Sequence, residues 1–210
     1  MLRLIAPLLF ALAVASPGVA VAVTPVTPAA ESARDMVEKS AETVLTTLVQ
    51  RREEFRHDPA KLEAFMLSEL DRTFDHQYSA RLVLGRHGRG VAPAQIDAFA
   101  KALVANLMRR YGKAMIDFDP NVDVKVLSET PLRDGTLARV STELARSDGP
   151  PVPVDYMVRN VDGHWRVFDV LVEGVSYVQT YRTQFEEQLR NQTLDQVIAG
   201  LRDGSLNVGG

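Results

Sequence analysis

Cysteine is absent from this 210-residue chain. That excludes disulfides and thiolate chemistry, and leaves a chain large enough to fold on a hydrophobic core alone. The four histidines, at 57, 76, 87 and 164, do not cluster at metal-ligand spacing, and no H-E-x-x-H occurs. Basic excess is missing too: the formal net charge is −3, against a general nucleic-acid binder, which carries a basic face. The ordinary 46% hydrophobic and 24% charged fractions fit a globular protein of one domain.

The N-terminus has the anatomy of a secretory signal peptide. Arg3 forms a short positive region, Leu4 to Ala15 is an apolar run of 12 residues, and Ala20-Val21-Ala22 offers a small-x-small cleavage site. No cysteine follows the run, so no lipoprotein anchor is expected. Removing residues 1–22 takes one arginine from the 24 basic residues and leaves the 27 acidic ones, a net charge of −4. Export without cysteine points to a bacterial periplasm. Residues 23–31 form a Pro/Thr linker, 32–205 the folded domain and 206–210 a tail.

Helices come first. A stripe of Met36, Val37, Val44, Leu45 and Leu48 predicts a helix from Ser32 to about Phe55. Asp58-Pro59 starts another, with Leu62, Phe65, Met66, Leu70 and Phe74 as its stripe. From Pro93 the apolar series Ile96, Phe99, Ala100, Leu103, Val104, Leu107, Met108 and Tyr111 predicts a helix of about 20 residues. Alternation around Val122–Val126, Ala138–Leu144 and Val152–Val158 then predicts strands, with turns at 133–135, 147–149 and 162–163.

The run from Trp165 to Val172 predicts a further strand, with Phe168, Val170 and Val172 on one face and Trp165, Val167 and Leu171 on the other. Apolar on both faces, it is expected at the centre of its sheet. Gly174 breaks it, and Tyr177, Tyr181, Phe185 and Leu189 recur every four residues as an amphipathic helix, followed by another near 194–201. The order predicts an α+β fold: a helical layer on one twisted antiparallel sheet of about four strands.

No catalytic constellation stands out. Gly174-Val175-Ser176-Tyr177-Val178 lacks the last glycine of a nucleophile elbow, and Ser176 reads as a helix N-cap. Asp169 and Glu173 lie ~13 Å apart on an extended strand, too far for glycosidase work; Asp169 is expected to pair with an arginine or cap a neighbouring segment. Asp117–Asn121 resembles the start of a calcium loop but has Val122 where glycine is required. Gly85-Arg86-His87-Gly88-Arg89-Gly90 reads as an inter-helix loop, with an anion nest the sharper option; a P-loop ending is missing. What remains is apolar surface, either a well-packed core or the wall of a cavity.

The run W-R-V-F-D-V-L-V-E-G-V-S-Y-V at 165–178, followed by Y-R-T-Q-F at 181–185, resembles the signature of the MlaC family (toluene-tolerance auxiliary proteins). F-D-H-Q-Y-S-A-R-L-V-L-G-R-H at 74–87 and the helix with Pro93, Gln95, Phe99, Leu103 and Tyr111 are similar as well, so the likeness spans about 33–203. It implies a mixed fold, with an NTF2-like or cystatin-like sheet plus helices, around an apolar lipid pocket. It also implies a non-enzymatic periplasmic carrier without a cofactor, holding phospholipid as ligand. Such a carrier would move lipid between an outer-membrane lipoprotein–porin complex and an inner-membrane complex of MCE protein and ABC transporter, maintaining lipid asymmetry. From periodicity and likeness together, the lining is expected to be Phe74, Leu82, Leu84, Phe99, Leu103, Leu107, Tyr111, Val170, Val172, Val175, Tyr181 and Phe185 around an empty volume. A hopanoid carrier of the same family and a periplasmic adaptor with a filled core are the other readings; an enzyme comes third.

Overall fold

The computed structural model describes residues 31–117, 122–146, 149–206 and 208. The signal peptide and nearly all of the linker therefore lie outside the described residues, as do most of Asp117–Asn121 and of the 147–149 turn. The described helices are α1 (Ala33–Gln50), α2 (Arg52–His57), α3 (Pro59–Thr73), α4 (His76–Leu84), α5 (Pro93–Ile116), α6 (Tyr177–Asn191) and α7 (Leu194–Asp203). The strands are β1 (Asp123–Leu132), β2 (Leu137–Ala145), β3 (Val152–Val161), β4 (His164–Val172) and a two-residue β5 (Val175–Ser176).

Local chemistry sets the boundaries. Ser32 and Asp35 close a capping box on α1, and Asp58 accepts from the Ala60 N–H with Pro59 at the first turn of α3. The single helix expected over 32–55 is instead two, broken at Arg51 (φ −105°). Asp162 (φ 52°) and Gly163 (φ 85°) both take positive φ, which gives the β3–β4 hairpin its tight turn.

The sheet is an antiparallel meander ordered β1-β2-β3-β4-β5. β4 is therefore next to an edge rather than central, and β5 covers only its Leu171–Val172 end. Its two apolar faces are nevertheless both met by helices. The strict alternation expected along β4 also fails. Met157 pairs with Asp169 while Val158 pairs with Val167, so Phe168 is the extra residue of a β-bulge. Trp165, Val167 and Val170 consequently share one cluster with Met36 and Val37 of α1. Phe168 meets Tyr78 of α4 edge to face, at 5.3 Å between ring centres.

Three apolar clusters hold the layers together. One joins the sheet to the first half of α1. A second gathers Leu48, Phe55, Leu62 and Ile116 where α1, α2, α3 and α5 converge. The third lies among α4, α5, α6 and α7, with Phe99 against Phe185 at 4.9 Å. Among the described residues, no helix is long and apolar enough to cross a membrane.

Candidate functional site

Between the sheet and the helices α1 and α3 runs a groove of about 280 Å³. Val37, Ser40, Ala41, Val44 and Leu45 of α1 line it, at spacings that put all five on one helical face. Met66, Glu69, Leu70 and Thr73 repeat that pattern on α3, and Phe74 follows. The floor is Val124, Leu144, Tyr156 and Val167, one from each long strand. Small Ser40 and Ala41 open the space that larger side chains would fill.

Each helix is tied to the sheet near one end. The Arg34 guanidinium donates to the Val126 carbonyl (2.9 Å) and the Arg34 backbone N–H donates to the Glu129 carboxylate (2.7 Å), fixing the start of α1 on β1. Arg166 of β4 donates to the Asp71 carbonyl at 2.9 Å, fixing the end of α3. Phe74 forms a parallel bridge to Val167, and the Asp75 N–H donates to the Val167 carbonyl at 2.7 Å. Asp75 also caps α4 and binds Arg159. That crossing carries the chain past β4, and Tyr78 and Ser79 then meet Phe168.

The groove carries little polarity. The Thr73 hydroxyl donates to the Glu69 carbonyl (2.7 Å), and the Glu69 carboxylate is paired with Arg72. Burial pushes the Tyr156 phenol above its ordinary value, so it stays neutral. Such a wall can hold alkyl chains and offers no group placed for acid–base work.

Of the residues expected to line a cavity, Phe74 lines this groove, and Val170 packs against the cluster beneath it. Leu84, Phe99, Tyr181 and Phe185 sit in the core among α4–α7, with Leu103 and Leu107 packed against it. Leu82 and Val172 are half-buried, while Tyr111 and Val175 are exposed. The groove residues on α1 escaped the sequence reading, although Val37, Val44 and Leu45 stood in its helical stripe. The missed signal was the pair of small residues, Ser40 and Ala41, inside that stripe.

The other candidate groups take structural roles. Asp169, nearly buried, accepts from the Ser176 hydroxyl (2.6 Å) and the Val178 N–H (3.0 Å), so it caps rather than pairs with an arginine. Ser176 caps α6 by accepting from the Gln179 N–H at 3.0 Å. In the Gly85–Gly90 loop, Arg86 is paired with Glu186 of α6, and His87 lies 3.4 Å from the same carboxylate. Arg86 is thereby neutralised rather than open to an anion. A larger cleft, about 700 Å³, lies elsewhere, among α2, α3 and α5, with charged groups on its walls. The smaller groove is the better alkyl site because its facing walls are apolar.

Residues 38–203 match the MlaC protein family. The chain belongs to the MlaC family. The toluene tolerance protein ttg2D of Pseudomonas putida is 26% identical over 177 residues, covering 83% of this chain and 81% of that protein. The intermembrane phospholipid transport system binding protein MlaC of Haemophilus influenzae is 21% identical, over 81% of this chain and 80% of its own. A phospholipid-binding protein from Ralstonia solanacearum, solved in complex with a phospholipid, shares the fold: TM-score 0.65, 21% identity, 82% of this chain and 96% of that one. The family match contains all of α3 and α1 from Glu38 onward.

Proposed function

We propose that this protein is an exported phospholipid carrier that holds acyl chains between α1, α3 and the sheet. The observation that carries the reading is the groove itself, apolar on both walls in a chain of the MlaC family. A phospholipid transport binding protein among its relatives, and a lipid complex of the same fold, support it. Each buried CH₂ contributes ~0.8 kcal/mol, so acyl chains dominate the affinity and many headgroups are accepted. At about 280 Å³ the groove is at the lower edge of ordinary ligand sites, ~300 to 1,000 Å³. Loading two chains therefore requires α1 and α3 to move off the sheet, each pivoting near its tied end. The lining in this reading is Val37, Val44, Leu45, Met66, Leu70, Phe74, Tyr156 and Val167. No cofactor and no catalysis enter. The carrier works in the periplasm, between an outer-membrane complex and an inner-membrane ABC transporter.

The test is Ala41→Trp, which fills the groove from half-buried position 41. Lipid-stripped wild-type protein should take two-chain phospholipid from vesicles, and the folded variant should not. Equal uptake by both would remove the groove as the site.

A further inference from the structure

The cleft among α2, α3 and α5 lies outside the α1–α3–sheet groove, and its walls share no residue with it. Its volume, about 700 Å³, is that of a small-ligand site. The apolar part of the wall is formed by Leu62 of α3 with Met108, Gly112 and Ile116 of α5, which recur every four residues along one face.

Gly112 is the unusual member. Glycine is unfavourable within a helix, and Gly112 stands one turn before the end of the 24-residue α5, without the positive φ of a helix-ending glycine. A Cβ there would meet only Leu62 Cδ2, at an ordinary 3.6 Å. Neither backbone conformation nor packing within the chain calls for a glycine. What it does is keep the wall of the cleft open.

Arg56 is held by Asp117 at 3.1 Å, and Arg109 donates to the Leu201 carbonyl. Two charged lining residues remain with neither a side-chain hydrogen bond nor an ion pair among the described residues: Lys113 on the α5 wall and Glu63 on the α3 wall. They adjoin Gly112 and Leu62 in sequence, so the apolar strip has a cation beside it on the α5 wall and an anion beside it on the α3 wall.

We propose that this cleft is a second binding site, for a single-chain zwitterionic amphiphile of the lysophosphatidylethanolamine type. Its phosphate faces Lys113, its ammonium faces Glu63, and its alkyl chain runs along Leu62, Gly112, Met108 and Ile116. The proposal does not rest on the groove's holding two-chain lipid.

Titration calorimetry with lysophosphatidylethanolamine, below its micellar concentration, tests it in the lipid-stripped Ala41→Trp protein, where the groove is filled. Saturable binding is expected, weakened about three- to fivefold by Lys113→Ala or Glu63→Ala, as for exposed ion pairs. Gly112→Leu should abolish it, and Gly112→Ala should fold well and weaken it. A fatty acid of the same chain length should bind less tightly, because Glu63 opposes its carboxylate. No binding in the Ala41→Trp protein, binding indifferent to Lys113→Ala and Glu63→Ala, or a fatty acid binding equally well would each overturn the proposal. Both charge variants alter side chains away from the packed core, so a misfolded Gly112→Leu protein leaves the test decisive. Two-chain phospholipid uptake by the wild-type groove is read separately, and its failure leaves this result standing.

Discussion

Asp169 is a carboxylate with a catalytic look and a structural task. It stands on β4 and receives the hydroxyl of Ser176 and the N–H of Val178, so one side chain holds the start of α6 against the sheet. Removing it leaves two donors without their acceptor at a nearly buried position. Asp169→Ala should therefore cost about 1–3 kcal/mol of stability, read as a lower urea midpoint at unchanged slope. An unchanged midpoint would refute the role. Capping was one of the two roles legible in the sequence for an acidic residue between a strand and a helix start, the other being an arginine pair. The bulge at Phe168 was not legible: one inserted residue shifts every face beyond it, and no residue type in W-R-V-F-D-V-L-V announces the slip.

At the scale of elements, most helices opened by a cap or a proline were legible, while α4, the break between α1 and α2, and the helix partners were not. Pro93, Asp58-Pro59 and Ser176 each opened a helix where their chemistry predicts. The apolar faces of α5 and α6 were equally plain, yet they pack on each other and on α4 and α7 instead of around a cavity. Periodicity states that a face is buried but not against what. The α5–α6 contact has a signature in alkali. Burial, with Tyr111 and Tyr177 nearby, pushes the Tyr181 phenol up to about 12, with Arg110 offsetting part of the rise. An unfolded tyrosine ionises near its ordinary 10.0, so the folded state holds this proton between about 10 and about 12. The stability this contributes is complete below pH 10 and is lost as the pH climbs through that window. In an ultraviolet titration two of the five tyrosines, Tyr156 and Tyr181, should ionise late, and Tyr181→Phe should remove one of these two late steps. Titration of every tyrosine near 10 would contradict the packing described.

For the whole molecule, the parts divide the work. The cluster among α4–α7 meets the sheet where Phe74 and Asp75 bridge to β4, where Tyr78 and Ser79 meet Phe168, and where Asp169 caps α6. Over the sheet, α1 and α3 leave the groove between their tied ends. Which of several apolar faces stays open is decided by small residues such as Ser40 and Ala41, and by which helices reach each other first. Those are tertiary facts, which a local pattern does not carry. The most direct measurement is native mass spectrometry of the purified mature protein, followed by organic extraction of whatever it holds. A co-purifying mass that resolves into two-chain phospholipids, and is absent from Ala41→Trp, is the predicted result. A wild-type protein that stays empty after incubation with phospholipid vesicles would contradict the carrier and leave an adaptor in its place.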